Sequence, residues 1–418
     1  MIRPIHPFPA RMAPELAIKE LKKLRKGSVV LDPMMGSGTV LRHASDCGHH
    51  AIGFDLDPLA FLMSTVATTP VDDASIEKLM AKVRKSLVGT IGSKLRLPWI
   101  DDDEETAEFV GYWFGKPQQS DLRRIAYILA NLGAGRTTQR LRRAADVLRV
   151  ALSRIIITKD RGASLARDVS HSRPHKVAQT SDFEVIPAFE RSLRHIRGLL
   201  ASSPPSENVR TALGDARSLF SLGNSTVDVV LTSPPYLNAI DYLRGHRLAL
   251  VWLGHRLSDL RAIRSGSIGS ERAPDASSTG DLFRDIQEAM CESSMLPPRH
   301  AGMVARYAED VYRMMSEIAR VLKPDGRAIL VVGNSYIKGE FVQNSAGIIR
   351  AGEMVGLHLK TEVERQLPAQ RRYLPLPASG VNPLSTRMRT EVVISFVPKR
   401  KARRTQDDVT HFQRSITG

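Results

Sequence analysis

Two short apolar segments, each ending in an aspartate, constrain the fold of this chain more than any other feature. Residues 28–32 read SVVLD and residues 51–55 read AIGFD, and a glycine-bearing turn and a helical segment, residues 40–47, lie between them. Continuous apolar runs of this length indicate strands that are buried on both faces. Strand, helix and strand joined by short loops form a βαβ unit, which requires a parallel sheet with right-handed crossovers. We therefore expect an α/β protein.

More sheet-forming segments follow in the second half of the chain. Strands are predicted at residues 209–213, 227–232 and 327–333, and the second of these is expected to be buried. A helix over residues 302–322 and a Lys-Pro-Asp-Gly turn at residues 323–326 precede the last of these strands. Residues 390–397 read TEVVISFV and predict the closing strand of an antiparallel hairpin.

Between these parts, apolar side chains recur at every third or fourth position, which is the period of an amphipathic helix. The pattern is clearest in residues 122–132 and 141–157, where Leu, Ile and Val stand between arginines. We therefore predict a sheet-containing domain of residues 1–70 and 205–398, a helical insertion of residues 71–204 as a candidate region for substrate recognition, and a basic flexible tail of residues 399–418.

The turn between the first two strands has the composition of a ligand-binding loop. An acid at the strand end and two glycines precede the helix in the run Asp32-Pro33-Met34-Met35-Gly36-Ser37-Gly38-Thr39. Glycines let the backbone approach a ligand closely, and the N-terminus of a helix presents free N–H groups. Asp55 ends the second strand, where a carboxylate can accept both hydroxyls of a ribose.

The glycine spacing narrows the choice of ligand. It does not match the G-x-G-x-x-G pattern of dinucleotide sites, and no lysine follows Gly38 as a phosphate-binding loop requires. A ligand with a ribose but no polyphosphate, such as S-adenosylmethionine, fits better. Asp215 follows the strand at residues 209–213 and is a candidate acceptor for an adenine amino group, the alternative being an aspartate that caps the next helix.

A proline-rich segment ends the strand at residues 227–232, which continues into Ser233-Pro234-Pro235-Tyr236. Since proline cannot continue a central strand, the chain must leave the sheet at its C-terminal edge, where α/β proteins bind ligands. Two successive prolines hold the backbone rigid with its carbonyls directed outward. The Ser233 hydroxyl and the Pro234 carbonyl can accept the hydrogens of an exocyclic amine, and Tyr236 can stack on the base. The alternative is an ordinary proline-rich turn.

The chain is strongly basic, with 60 Lys and Arg against 44 Asp and Glu and a net charge of +16. This imbalance favours a polyanionic partner, against the alternative of a basic surface that only aids solubility. The two cysteines, Cys47 and Cys291, exclude a disulfide framework and a thiolate zinc cluster, and we expect no metal. No apolar run is long enough to span a bilayer, so we expect a cytoplasmic protein without membrane contact.

With these motifs the sequence resembles the amino-methyltransferase family of DNA methyltransferases over residues 1–70 and 205–398. The serine of Thr-Ser-Pro-Pro-Tyr is similar to the cytosine-N4 branch, whereas adenine-N6 enzymes more often have aspartate there. The resemblance implies a Rossmann-like class I methyltransferase sheet, mostly parallel with a C-terminal antiparallel hairpin, and S-adenosylmethionine as cofactor. It also implies site-specific methylation of double-stranded DNA with the target base flipped, by an enzyme paired with a restriction endonuclease or by a solitary one.

Carried over residue by residue, the resemblance assigns roles within the motifs. It places Asp32, Gly36 and Gly38 along the methionine part of the cofactor. It assigns Asp55 to the ribose and Asp215 to the adenine. Their neighbours in the same loops are further candidates: Pro33, Met34, Ser37, Thr39, Leu56 and Ala216. Phe8 and Arg11 belong to a segment that packs over the methionine carboxylate, or else to an ordinary N-terminal arm. The residues that hold the flipped base are Ser233, Pro234, Pro235 and Tyr236.

Basic residues near these motifs are candidates for contacts with DNA. They are Arg173, His175 and Lys176 in a basic loop, Arg244 and Arg247 after the proline-rich segment, and Arg372 near the terminal hairpin. For the basic loop, a solvated linker is the alternative. The cofactor loop precedes the proline-rich segment here, unlike in family members with the opposite order, so the position of a recognition domain is not carried over.

Several functions remain open beside cytosine-N4 methylation. Adenine-N6 methylation of DNA uses the same fold and loop, and a base amine of structured RNA is a further target. Carbon methylation through a thiol is disfavoured, because Pro-Pro-Tyr stands where a Pro-Cys nucleophile would be needed. A nucleic-acid-binding protein without activity is the other class, but such a scaffold would have no need for both the cofactor loop and a rigid loop beside it.

Overall fold

The computed structural model describes residues 3–8, 12–88, 95–132, 138–167, 174–237, 241–270, 283–292, 296–367 and 390–399. The strands of this part are β1 (Val29–Asp32), β2 (His50–Asp55), β3 (Ala166–Arg167), β4 (His175–Lys176), β5 (Val209–Leu213), β6 (Val227–Thr232), β7 (Leu322–Val332), β8 (Ser335–Ile337), β9 (Glu340–Val342), β10 (Leu357–Gln366) and β11 (Thr390–Pro398). The helices are α1 (Pro14–Leu21), α2 (Thr39–Asp46), α3 (Pro58–Thr68), α4 (Asp73–Val88), α5 (Pro98–Asp101), α6 (Glu104–Trp113), α7 (Lys116–Asn131), α8 (Gln139–Ser153), α9 (Val185–Ser202), α10 (Tyr242–Leu250), α11 (Leu257–Gly266), α12 (Arg284–Met290), α13 (Pro298–Val321) and α14 (Asn344–Met354), with a 3-10 turn at Val251–Leu253.

A seven-stranded sheet in the order β10-β11-β7-β6-β1-β2-β5 forms the centre of the molecule. Strands β5, β2, β1, β6 and β7 run parallel, whereas β11 runs antiparallel to both β7 and β10. The predicted α/β class is therefore confirmed, with a mostly parallel sheet and a C-terminal antiparallel hairpin. The strands predicted at residues 209–213 and 227–232 coincide with β5 and β6.

Apolar side chains of the central strands alternate between two buried layers. Val30, Val229 and Leu231 join a core with α1 and α2 on one face of the sheet. Leu31 and Val230 join a core with α13 and α14 on the other face. Burial on both faces explains why these strands appear in the sequence as continuous apolar runs.

One local prediction was wrong: no separate turn lies between α13 and β7. The strand begins at Leu322, directly after the helix, and the Lys-Pro-Asp-Gly segment forms an irregularity within it. Val227 pairs with Leu322 and Val229 pairs with Arg327, so four residues of β7 lie opposite the single residue Asp228. The carboxylate of Asp228 fixes this bulge by accepting a hydrogen bond of 2.7 Å from Lys323 Nζ.

The predicted insertion is helical, from α4 to α9, but it also contains the short antiparallel pair β3–β4, which was not predicted. Its core is continuous with α3 and with the residues that follow the proline-rich segment. Trp252 is buried edge-on against Phe114, with ring centroids 5.0 Å apart. Trp99 Nε1 donates to the Val251 carbonyl at 2.8 Å. The insertion therefore supports the chain just after the proline-rich segment.

Two kinds of feature are absent from the described ranges. No helix there combines the length and apolar character that crossing a bilayer requires. Within the same ranges, His, Cys, Asp and Glu side chains form no group of three or more that could hold a metal ion.

Candidate active site

A cavity of about 460 Å³ opens where the carboxyl ends of the parallel strands meet. In open α/β sheets this edge is the usual position of ligand sites. Loops that follow β1, β2, β5 and β6 form its walls. Fourteen residues predicted for the cofactor or the base line it: Phe8, Asp32, Pro33, Met34, Gly36, Ser37, Thr39, Asp55, Leu56, Asp215, Ala216, Ser233, Pro235 and Tyr236.

The glycine turn after β1 depends on its two glycines. Gly36 and Gly38 have φ values of 50° and 79°, in the left-handed region that disfavours other residues. A Cβ at Gly38 would lie 2.5 Å from Ser64 Oγ, so this glycine packs α2 against α3 and does not line the cavity. A Cβ at Gly36 would lie 3.0 Å from Phe8 Cε1. The Phe8 ring therefore covers the turn.

Asp32 links the glycine turn to the proline-rich segment. The carboxyl group is only 4% exposed, and its Oδ1 accepts hydrogen bonds from Thr232 Oγ1 at 2.7 Å and from Met34 N at 3.2 Å. Burial raises the pKa of Asp32 to about 7, although both hydrogen bonds oppose the shift. The end of β1 and the end of β6 are thus joined by a buried side-chain contact.

Asp55, at the end of β2, is held by main-chain donors. Its Oδ2 accepts from Gly36 N at 2.8 Å and its Oδ1 accepts from Asp57 N at 2.9 Å. Burial and then the charge of Asp57 raise the pKa of Asp55 to about 7. A carboxylate oxygen can accept more than one hydrogen bond, so each oxygen retains capacity for a ligand.

A buried ion pair that sequence reasoning missed lies beside Asp55. Asp57 caps α3 by accepting from Leu59 N at 2.8 Å, and its other oxygen lies 2.5 Å from His246 Nδ1 on α10. His246 is 7% exposed. Burial lowers the pKa of His246, but the carboxylate of Asp57 outweighs burial and holds that pKa above its usual value. The imidazolium and the carboxylate therefore connect β2 to the helix after the proline-rich segment.

An aromatic cluster surrounds this pair. The Phe8 ring stacks on Tyr242 with centroids 5.1 Å apart and an interplanar angle of 13°, and it lies 5.6 Å from the His246 ring. Asp57 and His246 are 189 residues apart in the chain, so no local pattern connects them. The sequence gives a signal only for the start of α3, because an aspartate before Pro58 is typical of an N-cap.

The proline-rich loop is fixed from behind by two hydrogen bonds. Ser233 Oγ donates to the Val331 carbonyl at 2.9 Å, and the buried Tyr307 hydroxyl donates to the Pro235 carbonyl at 3.0 Å. Burial raises the pKa of Tyr307 above its usual range, so the phenol remains a donor. Pro234 is buried between them. Because the Ser233 hydrogen is used by Val331, its oxygen is left as an acceptor.

Asp215, the residue predicted for the adenine end, lines the cavity and has a partner that sequence reasoning missed. Arg217 donates to its carboxylate from Nε at 3.0 Å and from Nη2 at 2.6 Å. The same guanidinium bonds to Asp310 and to the Gly266 carbonyl. Burial lowers the pKa of Arg217, but these carboxylates outweigh burial and raise it. The network ties the end of β5 to α11 and α13.

Four arginines, which we term the mouth arginines, line the more exposed part of the cavity: Arg244, Arg261, Arg264 and Arg299. Arg244 was predicted for DNA, whereas Arg261 and Arg299, which come from α11 and α13, were not. Asp241, the cap of α10, lies 2.5 Å from Arg264 Nε and 3.5 Å from Arg244 Nε. Arg261 pairs with Glu105 of the insertion. The excess of arginine over carboxylate makes this end of the cavity basic.

The other residues predicted for DNA lie elsewhere. The Arg247 guanidinium lies over the Phe109 ring, 5.1 Å from its centroid, and burial lowers its pKa. Lys176 Nζ lies 4.5 Å from the centroid of the Tyr112 ring, next to exposed His175 in β4. None of these basic groups lines the cavity. Three further predicted residues lie outside the described part of the chain: Arg11, Arg173 and Arg372.

Comparisons with known proteins give relatives of one kind. The chain is 21% identical to the Type II methyltransferase M.MvaI of Kocuria varians, over 93% of this chain and 89% of that protein. It is 25% identical to the Type II methyltransferase M.BsoBI of Geobacillus stearothermophilus, over 59% of this chain and 51% of that protein. No protein-family model matches. A solved structure, a TehB-like SAM-dependent methyltransferase from Corynebacterium glutamicum ATCC 13032, aligns with a TM-score of 0.30 and 10% identity, over 93% of this chain and 89% of that chain.

Proposed function

We propose that this protein is a DNA methyltransferase that transfers a methyl group from S-adenosylmethionine to the exocyclic N4 amine of a cytosine flipped out of double-stranded DNA. The observation that carries the proposal is the hydrogen bond of 2.7 Å from Thr232 to Asp32 beside one cavity. It holds together the cofactor loop and the proline-rich loop, which direct transfer must bring into contact. Similarity to a Type II methyltransferase over most of the chain supports the proposal.

The inner half of the cavity, formed by Phe8, the glycine turn, Asp32 and Asp55, fits the cofactor. A volume of about 460 Å³ is within the range of small-molecule sites. Asp55 is positioned to accept the ribose hydroxyls, since each of its oxygens already has one fixed main-chain donor. Asp32 would accept from the ammonium of the methionine part. When bound, S-adenosylmethionine supplies a methyl group on a positively charged sulfur.

The proline-rich loop fits the amine that receives the methyl group. An exocyclic amine carries two hydrogens, and Ser233 Oγ and the Pro234 carbonyl are the two acceptors for them. Val331 fixes Ser233 from behind the loop, and Tyr307 fixes the carbonyl of Pro235, the residue after Pro234. Accepting both hydrogens favours a pyramidal nitrogen with an available lone pair, and Tyr236 stacks on the base. The loop contributes position and charge placement, with no covalent intermediate on the protein.

The mouth arginines fit the polyanionic part of the substrate. A base inside a duplex is out of reach of the cavity, so it must be extruded, and phosphates on both sides must be held. Arg244, Arg264 and Arg299 stand at the open end of the cavity for this purpose. The choice of cytosine over adenine rests on the resemblance of Ser233 to the cytosine-N4 branch, and the paired restriction endonuclease stays a prediction.

Mass spectrometry of nucleosides tests the proposal. The protein is expressed in bacteria whose DNA lacks the modification, beside the variants Ser233→Ala and Tyr236→Ala. Ser202→Ala is a matched control, because its exposed hydroxyl bonds only within α9 in the structure. N4-methylcytosine with the wild type and the control, but not with the loop variants, would support the proposal.

Other results would correct it. N6-methyladenine in the same pattern would keep the mechanism and change the base. A methylated base in RNA but not in DNA would change the substrate. The absence of any methylated base from both nucleic acids would overturn the proposal.

A further inference from the structure

A small β-hairpin extends from the sheet edge that carries the candidate active site. Strand β7 ends at Val332, and β8 and β9 then pair antiparallel around a two-residue turn. The turn residues Lys338 and Gly339 both have positive φ, 54° and 95°. Two successive positive φ values are typical of a type I′ turn, whose twist matches that of a hairpin. The hairpin is therefore regular and was absent from the sequence predictions.

Its two faces differ in burial. Ile337 and Val342 are 1% and 0% exposed and belong to the core beside α13 and α14. Tyr336 and Phe341 are cross-strand partners on the opposite face, with 48% and 43% of their surface exposed. Their ring centroids are 5.1 Å apart. The hairpin is anchored on one face and presents an aromatic pair to solvent on the other.

Side-chain hydrogen bonds fix the base of the hairpin. Asn344 Nδ2 donates to the Gly333 carbonyl at 2.9 Å and to Ser335 Oγ at 3.1 Å. In the same link before β8, Asn334 Oδ1 accepts from Ser345 N at 3.0 Å. Because the start of β8 is bonded to the first turn of α14, and β9 leads into that helix, the aromatic pair is held in a fixed position relative to α14.

The hairpin lies close to the base-binding loop. The Val331 carbonyl accepts the hydrogen bond from Ser233, and Tyr336 follows Val331 by five residues of chain. Five extended residues span at most roughly 18 Å. This distance corresponds to about five base pairs of duplex at about 3.4 Å each. The aromatic pair therefore lies no farther from the proline-rich loop than the length of about five base pairs.

We propose that the hairpin of residues 335–342 is a DNA-binding element that stacks Tyr336 and Phe341 on bases beside the extruded nucleotide, while Lys338 contacts a phosphate. The proposal rests on the proposed function. Extrusion of a base exposes the faces of its neighbours, and aromatic side chains stack on such faces without sequence preference or wedge between base steps. Exposed aromatic pairs of this kind mark interaction surfaces, and the net charge of +16 favours a polyanion.

Three variants test the proposal. The double variant Tyr336→Ala/Phe341→Ala removes the rings, and Lys338→Gln removes the charge at the turn. Phe220→Ala is the matched control, because Phe220 is 88% exposed and lies at the opposite edge of the sheet. The carbonyl of the neighbouring Leu219 accepts a hydrogen bond from Arg320. Arg320 lies in the last turn of α13, at the edge of the sheet where β7 begins. All of these side chains are exposed, so the variants are expected to fold.

DNA binding is measured by filter retention. Fragments of unmodified bacterial genomic DNA are mixed with the full-length protein and S-adenosylhomocysteine, and the retained DNA is measured over a range of salt concentrations. The double alanine variant is expected to bind roughly tenfold or more weakly at every salt concentration. The slope of log affinity against log salt should stay unchanged for it, and should fall by about one for Lys338→Gln. The Phe220→Ala control should bind like the wild type.

Each other result decides between the two proposals. Equal binding by the wild type and the double alanine variant would overturn the role of the hairpin, while the proposed function would stand. Binding by the wild type without methylation of the same DNA would overturn the proposed function alone, and the comparison of variants would still test the hairpin. A wild-type protein that retains no DNA would overturn both.

Discussion

The two halves of the cavity are built in opposite ways. The inner half consists of buried carboxylates at strand ends, and main-chain donors from the adjacent loop hold the oxygens of Asp55. The outer half consists of arginines on three different helices, and Arg261 is still 59% exposed. The inner half therefore has one fixed arrangement, whereas the long side chains of the outer half can adjust to a partner.

This difference matches what each half would bind. A small ligand is recognised by a few acceptors in fixed positions, and buried charges there are little affected by salt. A phosphate backbone is recognised by charge, which is screened by salt and tolerates small displacements. Variants of the two halves should consequently differ in their effects on kinetic constants and on the salt dependence of binding.

The largest effect on stability is expected for the ion pair of Asp57 and His246, which joins the inner half to α10. The variant His246→Gln leaves Asp57 buried without a cationic partner, and we expect a loss of about 3 kcal/mol in the free energy of unfolding. The pKa of His246 is raised in the folded state. Its contribution to the free energy of unfolding is therefore complete below a pH of about 6.5 and is lost as pH rises through the raised pKa. Because the pKa of Asp57 is lowered, its contribution is lost only in strong acid.

Urea unfolding at several pH values measures this. The stability difference between wild type and His246→Gln should shrink as pH rises above neutrality. A difference that stays constant from pH 6 to pH 9 would contradict a charged pair. The variant His43→Gln is a suitable control, because burial lowers the pKa of His43, so its stability difference from the wild type should not shrink as pH rises.

The next effect concerns the loop where the halves meet. Removing the acceptor in Ser233→Ala should lower kcat by roughly 10²-fold, the size typical of losing one fixed hydrogen-bonding group at a reacting atom. The dissociation constant for S-adenosylmethionine, measured by calorimetry, should stay unchanged because Ser233 belongs to the base end. A loss of cofactor affinity in this variant would show that the halves are not separable.

A smaller effect is expected in the outer half. Arg299→Gln should raise KM for DNA by up to about tenfold and reduce the salt slope of binding by about one, while kcat stays close to the wild-type value. Arg313→Gln is the matched control, because Arg313 lies on the same helix, is 60% exposed and pairs with Glu309. If both variants behave alike, the mouth arginines have no special role.

The smallest expected effect is a pH dependence of cofactor affinity, which arises from the carboxyl groups of the inner half. Asp55 has a pKa of about 7, so it is mostly protonated at pH 6 and mostly ionised at pH 8, where it accepts better from ribose hydroxyls. The affinity for S-adenosylmethionine should therefore rise several-fold over this range. Asp55→Asn should reduce the dependence, and the part that remains should come from Asp32, which titrates in the same range. A variant with the wild-type pH dependence would exclude Asp55 as the titrating group.

The sequence was sufficient for the parts of the fold that depend on local patterns. Strands β1, β2 and β6 were located by their apolar runs, and the positions of Asp32 and Asp55 followed because they end β1 and β2. Gly36 and Gly38 could be identified because their positive φ values almost require glycine. The cavity is therefore lined by most of the residues that the sequence predicts for the cofactor and the base.

The remaining parts depend on contacts between distant segments. The partner of Asp57 is 189 residues away, and the partner of Ser233 is a backbone carbonyl 98 residues away, which any residue type could supply. Arg261 and Arg299 look like ordinary surface arginines until their helices bring them to one opening. The hairpin of β8 and β9 has strands of only three residues, too short for a periodic pattern.

The position of β1 in the sheet has a consequence for synthesis. One neighbour, β2, follows it almost at once, but the other, β6, is pinned to it by a bond from Val29 N to the Asp228 carboxylate 199 residues later. At about 5–20 residues per second, the ribosome needs roughly 10–40 seconds to supply that second neighbour. During this time the centre of the future sheet has an open edge, and the helical insertion is made before the edge can close. The nascent chain is thus open to mispairing while it carries the glycine turn after β1 but not yet the proline-rich loop after β6.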